Sequence, residues 1–203
     1  MHLVPTQDEV VALLRKTGGL RQGHFEDPNG RHVNEYLQVA LSMRHYDVAK
    51  ILSVGLSRQV RAHSDLRAII PELSVVAPAT GGLPVAYGVC EALRSRQVYW
   101  AERRNLKEPL RFRQFLEVEK GAKVLLVDDV FRSGARITEL KNLVESQGGE
   151  VVAIAVVIYQ PSPGARKFDP LPFYYLARLD ETYSDPASCE QCRRRVPLQK
   201  VRE

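Results

Sequence analysis

Apolar positions follow two rhythms along this chain. A helical spacing of Val10, Val11, Leu13 and Leu14 predicts a first helix, capped by Thr6 and stopped by Gly18-Gly19. The same spacing returns over residues 46–63, with Val48, Ile51, Leu52, Leu56 and Val60 on one face. Between helical stretches lie short apolar runs at residues 73–78, 97–101, 123–130 and 151–159. Runs of this length read as strands buried on both faces. Two of them end in small-residue turns that lead into helical patterns. One turn is Ala79-Thr80-Gly81-Gly82, with Pro84 in the first helical turn and Val85, Val89 and Leu93 on the buried side. The other is Arg132-Ser133-Gly134-Ala135, leading into a helix over about 137–144 that closes before Gly148-Gly149.

The flanking segments are less regular. Residues 23–36 are polar and turn-rich, either a binding loop or a solvated hairpin, and Tyr36-Leu37-Gln38-Val39-Ala40 reads as a strand. Residues 103–113 are highly charged and contain Pro109, which predicts an exposed, mobile loop. Beyond Pro161 five prolines break the pattern, and Phe173-Tyr174-Tyr175-Leu176-Ala177-Arg178-Leu179 is the one strand-like run. Alternating strands and helices predict an α/β fold with a doubly wound, mostly parallel sheet. The expected organisation is a single domain over 1–203, with a core at about 44–160 and a small hood from about 1–43 and 161–203. Ligands of such sheets bind at the carboxyl ends of the strands, where both glycine turns and the pair Asp128-Asp129 fall.

Composition narrows the function. Hydrophobic residues make up 44% of the 203, enough for a substantial core. The net charge of +5 suits a polyanionic ligand, but the basic residues are dispersed apart from Arg193-Arg194-Arg195, so no nucleic-acid partner is expected. Met1-His2-Leu3-Val4-Pro5 shows no signal-peptide pattern, and the longest apolar run is far short of the ~20 residues of a membrane span. The expectation is a cytoplasmic protein with no membrane partner, its three cysteines held as thiols. Cys189-x-x-Cys192 is half a zinc site, which a dimer would have to complete, and Cys90 sits on a predicted buried helix.

A strand, a glycine turn and a helix present backbone N–H groups to a phosphate. Acids do not bind phosphate, so Asp128 and Asp129 would hold what is attached to it: sugar hydroxyls, a metal ion, or both. Two such turns at one sheet edge suggest a sugar phosphorylated at two places. Val124-Leu125-Leu126-Val127-Asp128-Asp129-Val130-Phe131-Arg132-Ser133-Gly134 resembles the phosphoribosyl pyrophosphate (PRPP) signature of the type I phosphoribosyltransferases. Gly23-His24-Phe25, Gly30-Arg31-His32 and Tyr36-Leu37-Gln38 are similar to the substrate loop of bacterial orotate phosphoribosyltransferases. Val76-Ala77-Pro78-Ala79-Thr80-Gly81-Gly82 is similar to their pyrophosphate loop, and Trp100-Ala101-Glu102-Arg103 with Arg113 to their mobile catalytic loop. Cys189-Glu190-Gln191-Cys192 and Val196-Pro197-Leu198 resemble a C-terminal segment of one branch of that family.

The resemblance implies transfer of ribose 5-phosphate from PRPP to orotate, with Mg²⁺, by a homodimer in pyrimidine biosynthesis. It implies PRPP contacts at Asp128, Asp129, Val130, Phe131, Arg132, Ser133, Gly134, Ala135 and Arg136, with Ala79, Thr80, Gly81 and Gly82 on the pyrophosphate. Mg²⁺ would be held through PRPP and the diacid rather than by strong protein ligation. Asp128, Asp129, Arg103 and Arg113 are the implied catalytic residues, and Arg104, Lys107 and Arg111 are further cations of the loop. Phe25, Gly30, Arg31, His32 and Arg132 are the implied base-binding set, although His24 and His32 by themselves read as structural or surface residues.

The chain departs from the pattern at three places. Arg132 and Arg136 stand where the family usually carries Thr and Ser/Thr, and Gln160 follows the last core strand where orotate enzymes tend to carry an arginine. Arg132 would then meet the orotate carboxylate from the other side. A phosphoribosyltransferase for another base, or a non-catalytic PRPP-binding regulator of the same fold, are the alternatives.

Overall fold

The computed structural model describes residues 4–27, 30–105, 108–180 and 183–201. In chain order the first half comprises α1 (Gln7–Thr17), β1 (Leu20–Glu26), β2 (His32–Leu37), α2 (Ala40–Met43), α3 (Tyr46–Ala62) and α4 (Ser64–Ile69). A 3₁₀ turn leads into β3 (Ser74–Pro78), α5 (Gly82–Leu93) and β4 (Gln97–Ala101). Then come β5 (Lys123–Phe131), α6 (Ala135–Ser146), β6 (Glu150–Tyr159) and β7 (Phe173–Arg178). The short elements β8 (Tyr183–Ser184), α7 (Glu190–Arg193) and β9 (Leu198–Lys200) close the chain.

The apolar runs become a five-stranded parallel sheet in the order β4-β3-β5-β6-β7. Side chains alternate across a strand, so each run serves two cores. Val75, Ala77, Leu125, Val127, Ala153, Ala155 and Val157 face α1, α3 and α5. Val76, Val124, Leu126, Ile154 and Val156 face Ile137, Leu140 and Val144 of α6. Helices thus cover both faces, as the alternation of strand and helix patterns predicts. None of the described helices is long and apolar enough to cross a membrane.

The order of strands sets the position of the site. β3 and β5 are neighbours, but α5 carries the chain outward to β4, whereas α6 carries it the other way to β6. The turns after β3 and β5 therefore leave a crevice between them, the switch point at which open α/β sheets bind ligands. Thr6 caps α1 in a reciprocal box, accepting from Glu9 N at 3.3 Å while its own N–H donates to Glu9 Oε2 at 2.8 Å.

The flanks depart from the sequence expectation. Residues 23–36 contribute two full strands, β1 and β2, paired antiparallel with an irregularity between Gln22 and Phe25. Their inward positions include His24 and His32, so the hairpin alternative holds but its polar sequence is buried rather than solvated. The expected strand over 36–40 ends at Leu37, and Ala40 opens α2. Val39 is fully buried as the residue that begins that turn of helix, so its apolar character reflects core packing rather than strand pairing. β8 and β9 add to the hairpin in the order β8-β2-β1-β9, a second sheet drawn from both ends of the chain. Residues 102–111 are not wholly exposed. Glu102 and Arg111 form an antiparallel bridge, and Leu110 is buried beside α6.

Close packing of α3 on α5 rests on a glycine. A Cβ on Gly88 would lie 2.2 Å from Ser53 Oγ and 2.7 Å from Ser53 Cβ. Gly88→Val should lower the urea midpoint, corresponding to a loss of roughly 1–3 kcal/mol from overpacking. Ser53→Gly in the same chain should recover part of that loss; no recovery would place the strain elsewhere.

Candidate active site

The crevice between the two turns is a cleft of about 260 Å³. It is lined by Thr80 and Gly81 from one turn, by residues 128–134 and Arg136 from the other, and by Leu37, Gln38 and Ala40 from the hairpin side. Both helices that begin here, α5 and α6, have a glycine at the N-cap, Gly81 with φ 81° and Gly134 with φ 79°, and neither cap has a side-chain hydrogen bond. Their N-terminal ends keep a positive field directed into the cleft. The two turns nearly touch. A Cβ built on Gly81 would lie 2.6 Å from Asp129 Oδ2, so the close approach of backbone to carboxylate requires glycine there.

The acid pair is buried at the end of β5. Asp128 Oδ1 accepts from Asp129 N at 2.8 Å, and Asp129 Oδ1 accepts from Val130 N at 2.9 Å. Asp128 Oδ2 lies 3.0 Å from Arg136 Nε but takes no aligned hydrogen bond among the described residues. Burial pushes the Asp128 carboxyl well above the usual carboxylate range, Arg136 pulls it back, and the neighbouring Asp129 adds to the rise. Arg136 also reaches Thr80 O at 3.5 Å, so one half-exposed guanidinium spans both turns. Arg132 Nε donates to Gln160 Oε1 at 3.2 Å, linking the ends of β5 and β6. Ser133 Oγ accepts from Ala135 N at 3.3 Å and so shapes its own turn.

The remaining residues singled out from the sequence lie in three places. Ala79, Gly82 and Ala135 adjoin the cleft without lining it; Ala79 N donates to Ala101 O at 2.8 Å. Phe25, Gly30, Arg31 and His32 lie on the hairpin, and none lines this cleft. Phe25 packs on Tyr36 with ring centroids 5.6 Å apart. Arg31 pairs with Asp27 at 2.9 Å and stacks 3.6 Å over the Tyr183 ring. The His32 ring is buried against His24, Nδ1 to Nε2 at 2.9 Å. Arg103 pairs with Glu139 Oε2 at 2.6 Å, Arg113 pairs with Glu102, and Arg104 and Arg111 are exposed. Lys107 lies outside the described residues. Glu102 is held below the usual carboxylate range by its bond to Arg113.

Sequence reading missed Gln160 as a partner of Arg132 and Glu139 as the anchor of the charged segment. Glu139 binds Arg103 and also accepts from Leu110 N, fixing both strands of that segment. It lies one turn into α6, far along the chain, and no local pattern marks it. Glu139→Ala should speed tryptic cleavage at Arg103, Arg104 and Arg111; unchanged cleavage would remove the anchoring role.

The raised Asp128 carboxyl has a thermodynamic signature. A group whose folded pKa is raised adds stability at low pH that is lost as pH rises through that pKa. Asp128→Asn cannot ionise, so its melting temperature should gain on the parent as pH rises above the ordinary aspartate pKa of about 4. Each kcal/mol corresponds to about 2–4 °C in a chain of this size. A difference that is flat with pH would show that Asp128 is not desolvated.

The phosphoribosyl transferase domain family matches residues 63–171. An orotate phosphoribosyltransferase of Carboxydothermus hydrogenoformans is 34% identical over 193 residues, covering 95% of each chain. One of Thermotoga maritima is 31% identical over 94% of this chain and 96% of its own. Among solved structures, orotate phosphoribosyltransferase from Aeropyrum pernix superposes with a TM-score of 0.64 at 24% identity, covering 84% of this chain and 93% of that one. Adenine phosphoribosyltransferase from Thermoanaerobacter pseudethanolicus gives 0.56 at 17% identity over 71% and 88%. With the diacid, both glycine turns and the switch-point cleft in register with that likeness, the chain belongs to the phosphoribosyltransferase family.

Proposed function

We propose that this protein transfers the ribose 5-phosphate group of PRPP to a ring nitrogen of orotate, giving orotidine 5-phosphate and pyrophosphate. The observation that carries this reading is the meeting of two glycine-capped helix N-termini over a buried diacid in one cleft. The similarity to orotate phosphoribosyltransferases over nearly the whole chain supports orotate as the acceptor.

The turn at 132–136 binds the 5-phosphate and the turn at 79–82 the pyrophosphate, each through the positive end of its helix. Asp128 and Asp129 accept from the ribose 2- and 3-hydroxyls; Asp128 Oδ2, buried and without a hydrogen bond, is an acceptor suited to one of them. As the bond from ribose C1 to pyrophosphate oxygen breaks and the bond to the base nitrogen forms, positive charge builds on the ring. The two carboxyl groups lie where they stabilise it. For that role Asp128 must be ionised, which Arg136 favours against the cost of burial. The diacid's oxygens also fit a hard cation, so Asp128 and Asp129 would hold Mg²⁺ together with PRPP, and the ion supplies charge neutralisation of the pyrophosphate. Arg103, Arg104, Lys107, Arg111 and Arg113 supply further positive charge to pyrophosphate when the segment closes over the cleft.

Arg132 is assigned to the orotate carboxylate. It is held by Gln160, at the position where an arginine is expected in orotate enzymes, so the cation is delivered from β5 rather than β6. Gln160 equally favours a second reading, a base without a carboxylate. A homodimer acting in the cytoplasm completes the proposal. Exposed Tyr46 and Tyr87 flank a groove between α3 and α5 that suits a second copy, and the three cysteines are free thiols.

Pyrophosphate release should be measured with PRPP, Mg²⁺ and orotate, uracil or purine bases. Orotate should be the substrate. Arg132→Thr should raise the KM for orotate by roughly 10- to 100-fold, the worth of one charged hydrogen bond, and by clearly more than it raises the KM for PRPP. Asp129→Asn should abolish turnover. Turnover of uracil in preference to orotate would select the second reading, and full activity of Asp129→Asn would remove the diacid from the mechanism.

A further inference from the structure

Four side chains away from the cleft converge on one point. His24 of β1, His32 of β2, and Cys189 and Cys192 flanking α7 bring their ligand atoms within 4.8 Å of one another. His24 Nε2 lies 2.9 Å from His32 Nδ1, 3.4 Å from Cys189 Sγ and 3.6 Å from Cys192 Sγ. Cys192 Sγ lies 3.2 Å from His32 Nδ1. His24, His32 and Cys189 are buried, and Cys192 closes the solvent side.

We propose that His24, His32, Cys189 and Cys192 form a tetrahedral structural zinc site that ties the C-terminal segment to the N-terminal hairpin. Zinc takes nitrogen at ~2.0–2.1 Å and sulfur at ~2.3 Å, so a tetrahedron of two nitrogens and two sulfurs has edges of about 3.3–3.8 Å. The observed spacings bracket those edges. Two thiolates with two imidazoles are borderline-soft donors in the combination that selects zinc, with no position left open for catalysis.

The orientation of His24 supports this assignment. Its Nδ1 lies 2.9 Å from Val196 O, so the N–H is on that side and the Nε2 lone pair points into the cluster. Metal-bound histidines are held in this way, by a carbonyl on the other ring nitrogen. A bridging proton satisfies one pair of the four donors, whereas a cation engages all of them. A Cys189–Cys192 disulfide would leave both buried imidazoles facing sulfur without a role.

Apart from short strand pairings and surface polar contacts, the segment has little to hold it to the hairpin. Cys189 is the single buried residue between 183 and 201. α7 is one turn long and has no buried residue, and all three residues of β9 are exposed. Such a segment cannot be pinned by apolar burial, and small peripheral structures of this kind depend on a metal or a disulfide. The other two donors that the CxxC pair requires come from the same chain rather than from a second copy. The site is structural, but it bears on the cleft. It clamps the hairpin whose far end supplies Leu37 and Gln38 to the cleft wall.

The test uses the full-length chain. Purified without chelator, it should contain about one equivalent of zinc, as a closed four-ligand site requires. Co²⁺ added to the zinc-stripped, reduced chain should give the intense visible bands and thiolate-to-cobalt charge transfer of a tetrahedral sulfur-ligated ion. Cys90→Ser should keep the metal. Chelation should expose residues 185–201 to protease while the parallel sheet stays folded. A reduced full-length chain that holds no zinc and gives no cobalt bands would overturn the proposal, whatever any variant does. Zinc retained in a folded Cys189→Ser, Cys192→Ser double variant would overturn it as well.

Discussion

The contact between the Gly81 backbone and the Asp129 carboxylate is the constraint on which the site depends. With a Cβ position only 2.6 Å from a carboxylate oxygen, any side chain at 81 would force the turns after β3 and β5 apart. The contact is possible because β3 and β5 are neighbours in the sheet while their helices diverge. One strand-order reversal thus places a glycine-capped helix N-terminus on each side and a diacid between them. The sheet must be buried on both faces to hold these turns rigidly, which is why its strands are nearly continuous runs of Val, Leu, Ile and Ala.

Burial of that diacid creates an electrostatic problem, and Arg136 addresses it. Arg136 lies against Asp128 and bridges to Thr80, so the protein itself supplies the counter-charge of its buried carboxyl. A ligand that moved this guanidinium would have to bring a cation or hydrogen-bond donors to Asp128, or leave a buried charge unpaired. Arg132 is oriented instead by Gln160, across the strand ends from the acids. The two unusual arginines therefore divide the cleft, one held against Asp128 and Thr80 and one at the ends of β5 and β6.

The hood is built on a different principle from the core. The parallel sheet is held by apolar burial, whereas the β8-β2-β1-β9 sheet has two- and three-residue edge strands and a polar interior point made of His24, His32 and Cys189. Leu20 and Leu37 tie this sheet to the main core, while its turn end is built around buried polar groups. Stability of the hairpin turn and of the parallel sheet can therefore be lost separately, because different forces maintain them.

The sequence by itself determined the parts in which local pattern and tertiary role coincide. Runs buried on both faces identify β3, β5 and β6, and small-residue turns before helices identify the two helix N-termini that meet at the cleft. Asp128-Asp129 is recognisable because two charges at the end of a buried strand conflict with the run that precedes them. The hairpin was legible only as one of two readings, and as a solvated one, because burying histidines gives a polar strand with no hydrophobic alternation. Nor were the pairings Arg132–Gln160, Arg103–Glu139 and Arg136–Asp128, since each joins a residue to a partner on another element or a turn away, and side-chain direction decides it. Only the tertiary structure brought Cys189 and Cys192 onto His24 and His32, across more than 150 residues. A ligand set is a condition on distances in space, and chain spacing constrains those distances only within one strand or one turn of helix.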